Sequence, residues 1–173
     1  MLIRLLQFTF VVLFISNVSG KDLPFVLPKN SPLIPKEHHL LPWIDFEGQV
    51  TIRAQFQFRH TDSDYSSSID LYIYPDQEGV SNLPYLTLRG PDKATEIYVR
   101  NSLEIAKEII SKRELDLLKS GSVKFVSGWA IFKITDFAAG FECDSPKFAT
   151  SILPQIKVES IKATGLGFEQ NGC

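Results

Sequence analysis

The chain has 173 residues, with 18 Lys and Arg against 20 Asp and Glu, so its formal net charge is −2. A slightly acidic chain argues against binding to nucleic acids or to anionic membrane surfaces, because both partners usually select clustered positive charge. The length suits one domain, and 13 Phe residues supply apolar material for a core.

The first twenty residues have the layout of a secretory signal peptide. Arg4 gives a positive start, an apolar run over 5–15 follows, and Gly20 is a small residue before a cleavage point at Lys21. The apolar run is too short to cross a bilayer as a helix. We therefore expect a secreted or periplasmic protein that has no membrane anchor once residues 1–20 are removed.

Residues 21–42 form a proline-rich segment. It contains Pro24, Pro28, Pro32, Pro35 and Pro42, half of the 10 prolines. Each proline fixes its own φ and disfavours a helical conformation in the residue before it. We expect an extended arm that packs against the following domain through its apolar residues.

The clearest strand runs over 49–59, where apolar and polar side chains alternate strictly. One face is then buried and the other solvated, which is typical of an antiparallel sheet. Four features follow in chain order, namely a loop over 60–68, a strand over 69–74, a turn region over 75–84 and a short strand over 85–88. Residues 96–100 can continue the pairing.

The hydrophobic period changes from that of a strand to that of a helix after residue 100. Asn101 and Glu104 match a capping box, and apolar residues recur at helical spacing behind them. Ser111 with Glu114 offers a second cap that would divide this helical segment into two short helices. Gly121 is placed to end it.

After the helical segment the pattern predicts a strand over 123–137, with a bulge at Ser127–Gly128, and a loop over 138–154. A last strand over 155–164 and a tail over 165–173 follow.

The predicted order is three strands, a helical segment and two strands. This order resembles the OB-fold, a five-stranded, partly open Greek-key barrel. The resemblance is one of topology. It implies a mainly β, α+β chain with a single OB-like, partly open antiparallel barrel domain over 43–164.

The chain has two cysteines, Cys143 and Cys173. In an oxidising compartment an even pair predicts a disulfide. The bridge would close a loop of about 31 residues and would stabilise the fold by roughly 3–4 kcal/mol on the chain-entropy estimate. An intermolecular bridge and a free C-terminal thiol are the alternatives.

Potential metal ligands cluster in the predicted loop, where His60, Asp62 and Asp64 lie close in sequence. The cluster lacks the glycine and the final glutamate of a calcium loop, and Asp is common in turns for conformational reasons. His38 and His39 are adjacent on an extended segment and cannot face one site. We therefore expect no metal and no cofactor.

Tyr72 and Tyr74 alternate with the apolar residues of 69–73 and should lie on the outer face of the second strand. In OB-like barrels the second and third strands carry the usual binding face, where aromatic rings can stack on a ligand. Tyr85 on the third strand and Arg53 on the first complete the predicted ligand-binding set. The competing interpretation is the ordinary preference of Tyr for strands.

These features favour an exported barrel that binds a protein, a peptide or a glycan and has no catalytic activity. A small secreted hydrolase that uses His60, Asp62 or Cys143 is one alternative. An inhibitor or immunity-type partner of a secreted enzyme is another. Trp43 and Trp129 are expected to pack in the core or against the arm.

Overall fold

The computed structural model describes residues 25–29, 31–36, 43–63, 66–87, 90–142 and 145–164. The predicted signal peptide, the predicted tail, Cys143 and Cys173 lie outside these residues, so export and the disulfide stay predictions. Within the described ranges, no helix is long and apolar enough to cross a membrane.

The described residues form ten strands and three helices. In chain order they are β1 (Phe25–Val26), β2 (Ile34–Pro35), β3 (Trp43–Glu47), β4 (Gln49–Ser63), β5 (Ser66–Pro75), α1 (Gln77–Ser81), β6 (Tyr85–Leu86), β7 (Ile97–Val99), α2 (Ser102–Ile109), α3 (Lys112–Lys119), β8 (Phe125–Glu142), β9 (Ser145–Ile152) and β10 (Lys157–Thr164).

Five strands close into a ring. β4 pairs with β5, β5 with β7, β7 with β9, β9 with β8, and β8 returns to β4. The helices α2 and α3 lie between the third and fourth strands of this ring in chain order. The expected mainly β, α+β fold with an OB-like barrel is confirmed.

The ring contains a parallel pair, β7 with β9, in which Tyr98 lies opposite Ala149 and Val99 opposite Thr150. A closed ring with an odd number of strands cannot alternate direction at every step, so a parallel pair is unavoidable. The register joins only these two residue pairs. The barrel is therefore partly open at this seam.

Two ring strands differ from the sequence prediction. The third strand is β7 and not the segment 85–88, because Tyr85–Leu86 pairs with the arm strand β1. The fifth strand is β9, which lies inside the stretch predicted as a loop over 138–154. The segment predicted as the last barrel strand is β10, which pairs with the first half of β8 outside the ring.

The predicted loop over 60–68 is wrong, because β4 and β5 continue as a paired hairpin as far as Ser63 and Ser66. Polar side chains bond to each other across this part of the hairpin. Thr61, for example, is exposed and its Oγ1 donates to Asp70 Oδ2 at 2.8 Å.

The helix signals are confirmed with one exception. Ser111 and Glu114 form the capping box that divides the segment into α2 and α3, and Gly121 follows α3 with a φ of 69°. Asn101 precedes α2, but its side chain does not cap the helix. Its amide instead donates to the carbonyl oxygen of Ile152 at 2.8 Å and accepts from the Ile152 N–H at 3.0 Å, which ties the start of α2 to β9.

The bulge predicted at Ser127–Gly128 is also wrong. The pairing of β8 with β4 runs without interruption from 125 to 135, and the irregularity lies in the facing strand β10, between Val158 and Ser160. Gly128 keeps the inward phase of β8. The position lacks a large apolar side chain because Phe56 and β10 already occupy the space around it.

The core lies inside the ring and consists largely of Phe, Ile and Leu side chains. Phe56 packs edge-to-face against Phe58 and Phe132, with ring centroids 5.7 and 6.2 Å apart. The described parts of the arm join this core. Phe25 is buried and packs edge-to-face on Phe46 at 5.1 Å.

Candidate functional site

A groove of about 560 Å³ crosses the outer face of the barrel over β5, β7 and β9, and we call it the outer groove. Its volume lies within the range of small-ligand sites. The described residues that line it are Trp43, Arg59, Tyr72, Lys93, Thr95, Glu96, Tyr98, Arg100, Glu142, Pro146, Lys147, Phe148 and Ala149.

Two tyrosines from neighbouring strands meet in the outer groove. Tyr72 on β5 and Tyr98 on β7 are directly opposite in register, and their rings pack edge-to-face with centroids 5.7 Å apart. The guanidinium carbon of Arg59 lies 4.5 Å from the centroid of Tyr72 and covers one face of that ring. Tyr98 is 37% exposed, so part of its side chain is accessible to a ligand.

The position of Arg59 is fixed by a hydrogen-bonded cluster with Tyr74 and Glu96. The Tyr74 hydroxyl donates to Glu96 Oε2 at 2.8 Å and accepts from the Arg59 guanidinium. Arg59 also lies 3.8 Å from Glu96 and donates through Nε to Gln57 Oε1 at 2.9 Å. Tyr74 therefore supports the groove from beside it, while Arg59 holds its place over Tyr72.

The tyrosines of this face are kept in their neutral form. Burial raises the pKa of Tyr74 well above its usual range, and its hydrogen bond to the Glu96 carboxylate raises it further. Burial also raises the pKa of Tyr72 and of Tyr98, and the charge of Asp70 adds to both shifts. At physiological pH the groove thus presents neutral rings with hydroxyl groups.

Tyr74 is expected to ionise last when the folded protein is titrated with alkali. The Tyr74→Phe variant should therefore lack the last step of the tyrosine titration. The raised pKa values mean that the stabilisation from neutral tyrosines is fully present below a pH of about 10 and is lost as the pH rises through the folded-state values. The absorbance of the phenolate measures the fraction of tyrosine that is ionised at each pH. In the urea-unfolded chain, the control, all tyrosines should ionise together. A folded protein that behaved in the same way would contradict the hydrogen-bonded cluster.

Arg53, a predicted ligand-binding residue, belongs to a different cluster. Its guanidinium carbon lies 4.3 Å from the centroid of the Trp129 ring, and its Nε bonds to Glu159 Oε2 on β10 at 2.9 Å. Asp76 is a second partner at 3.6 Å. These contacts hold Arg53 against β8 and β10, outside the lining of the outer groove.

Tyr85 also lies outside the outer groove. It belongs to β6, which is not a strand of the barrel and pairs with the arm strand β1, where Tyr85 is opposite Val26 in register. The expected outward phase holds for Tyr72 and Tyr74, since both are half-buried while Leu71 and Ile73 are fully buried. Of the four predicted binding residues, the structure therefore places Tyr72 in the groove and Tyr74 beside it.

Several lining residues were not among the predicted ligand-binding residues. Tyr98 lies between Ile97 and Val99, which are fully buried, and this short alternation was the signal that could have placed its ring outside. Trp43 is half-buried and lines the groove, whereas it was expected in the core or against the arm. Lys93 and Lys147 come from segments that had no assigned strand or helix, so no periodicity marked them.

The candidate catalytic residues of the hydrolase alternative are only partly described. His60 is half-buried on β4 opposite Ile69. The Asp62 side chain, Asp64 and Cys143 lie outside the described residues. In the part of the chain that the structure describes, no three His, Cys, Asp or Glu side chains come together to hold a metal ion.

The place of the groove follows from the topology. β5 and β7 are the second and third strands of the ring, the strands that carry the usual binding face of an OB-like barrel. Glu142 at the end of β8 and Pro146 near the start of β9 also line the groove. Comparison of the chain with protein-family models, curated proteins and solved structures gives no match.

Proposed function

We propose that the protein is an exported binding module without catalytic activity, and that its ligand occupies the outer groove. The observation that carries this proposal is the ring of Tyr98, which is exposed inside a groove of about 560 Å³ beside the Arg59-covered ring of Tyr72. A ring held in this way offers a flat apolar surface at low cost in conformational entropy, because its neighbour already fixes it.

The chemistry of the lining favours binding over catalysis. The described side chains supply aromatic rings, cationic donors, two carboxylates and the hydroxyl of Thr95, and none of them is Ser, Cys or His. Of the two carboxylates, Glu96 is already engaged by Tyr74 and Arg59. Nucleophilic catalysis needs a nucleophile beside a base, and within the described residues the Thr95 hydroxyl is not hydrogen-bonded to Glu96 or Glu142.

Replacing Tyr98 with Ala is expected to weaken ligand binding by about 1–3 kcal/mol, the usual contribution of one stacked ring. The free energy of unfolding should fall by about 1 kcal/mol or less, since the ring makes one edge-to-face pair and is partly solvated. Binding is measured on the best ligand from arrays of glycans and peptides, and stability by denaturant unfolding.

Tyr85→Ala is the matched control, because it removes the same kind of side chain from a half-buried position outside the groove. It should leave the affinity unchanged. If Tyr98→Ala binds like the unmodified protein while remaining folded, the ligand does not occupy the outer groove.

A further inference from the structure

The outer groove has a charge opposite to that of the whole chain. The chain carries a net charge of −2, yet the groove is lined by Arg59, Lys93, Arg100 and Lys147 against Glu96 and Glu142. Asp70 lies outside this lining, but its charge acts on Tyr72 and Tyr98 and offsets part of the positive excess. Clustered cations in a concave surface raise the local concentration of anions and speed their association. This distribution favours an anionic ligand.

The cations differ in how far the protein already uses them. Arg59 is committed to Glu96 and Tyr74, and Arg100 donates to the carbonyl oxygen of Asp136 at 2.5 Å. Lys93 and Lys147 are exposed, and neither forms an ion pair with another described residue. The ammonium groups of these two lysines are therefore available to bind an anionic ligand.

The strands under the groove limit how a ligand can be held. β5 pairs with β4 and β7, and β7 pairs with β5 and β9, so neither has a free edge along its paired residues. A peptide cannot add there as an extra strand, which is the usual source of main-chain hydrogen bonds in peptide recognition. β9 pairs with β7 only at Ala149 and Thr150, so its edge over 145–148 is the part of the groove where a strand has room to pair, and Pro146 has no N–H to donate there. Elsewhere in the groove recognition comes from side chains, namely a ring that stacks on an apolar face and ammonium groups that bind anions.

We propose that the ligand of the outer groove is a glycan that carries carboxylate or sulfate groups. The apolar face of one sugar ring stacks on Tyr98, and Lys93 and Lys147 bind the anionic groups. The signal peptide predicted from the sequence agrees with this chemistry, because acidic glycans lie outside the cytoplasm. The inference rests on the proposed function, since it names the class of ligand for the same groove.

The test measures binding of oligogalacturonate, a carboxylate probe, and of a heparin-derived oligosaccharide, a sulfate probe, by calorimetry. A cello-oligosaccharide of the same length is the neutral comparison. One or both acidic probes should bind at least about tenfold more tightly than the neutral one. Added salt should weaken that binding, because it screens exposed charges.

The double variant Lys93→Gln/Lys147→Gln should lose roughly fivefold in affinity for the acidic probe, as expected for two exposed ion pairs. Tyr98→Ala should lose about fivefold or more, as expected for a lost stacking contact. The control Lys112→Gln/Lys119→Gln changes the net charge equally on α3, outside the groove, and should bind normally.

The results separate failure of this inference from failure of the proposed function. Binding of the neutral probe that depends on Tyr98 but not on the lysines would overturn the acidic ligand and keep the groove. Poly-glutamate or oligothymidylate that bound more tightly through the same residues would overturn the glycan. Acidic binding that neither the Tyr98 nor the lysine variant changes would overturn the groove itself.

Discussion

Phe56→Ala is expected to lower the free energy of unfolding by about 3–5 kcal/mol, the usual cost of a deleted buried Phe side chain. Phe56 is fully buried and makes edge-to-face contacts with Phe58 and Phe132 inside the barrel. Its loss leaves a cavity between β4 and β8 that the paired strands cannot close. Denaturant unfolding should show a lower midpoint with an unchanged slope.

Leu103→Ala is the control for this change, because Leu103 is a large apolar residue that is 46% exposed on α2. Its cost should stay below about 1 kcal/mol. A Phe56→Ala variant as stable as the Leu103→Ala variant would mean that the interior of the barrel is not the hydrophobic core.

Gly128→Ala is expected to cost about 2–3 kcal/mol, although it adds one methyl group. A Cβ at this position would lie 1.8 Å from the carbonyl oxygen of Ser160 and 2.7 Å from Cζ of Phe56. The side-chain contact can be relieved by a small movement of the ring. The backbone contact requires β10 to move away from β8.

A second variant separates these two contacts. Phe56→Leu removes the Cζ atom but leaves the Ser160 oxygen in place, so Gly128→Ala should remain costly in that background. A double variant as stable as Phe56→Leu alone would show that β10 does not approach β8 at Gly128. Amide hydrogen exchange in β10, measured on Gly128→Ala, should be faster than in the unmodified protein.

Much of the fold could be predicted from local patterns. The strict alternation over 49–59 located β4, and the Ser111–Glu114 capping box located the break between α2 and α3. These signals depend on side chains a few residues apart, which is why a single sequence carries them.

The remaining ring strands depend on partners that are distant in sequence. β7 has only three residues and becomes a ring strand because β5 and β9 flank it. β9 contains Pro146, Lys147 and Ser151, which do not alternate cleanly with its apolar residues. The expected OB-like topology was thus correct, although two of the segments assigned to it were not.

The candidate site shows the same division. The outward phase of Tyr72 follows from its alternation with Leu71 and Ile73. Arg53 has the same kind of phase, yet Trp129 and Glu159 hold it in another cluster. Which outward side chains meet in a groove depends on the register of β5, β7 and β9, and periodicity within one strand does not contain that register.

An NMR titration that follows the backbone amides shows most directly whether the ligand occupies the outer groove. The protein is titrated with the array ligand that binds most tightly. We expect the largest shifts on the strands that line the outer groove, at and around Tyr72, Tyr98 and Lys147. Shifts concentrated at Arg53, Trp129 and β10 instead would place the ligand on the other cluster and contradict the assignment of the outer groove.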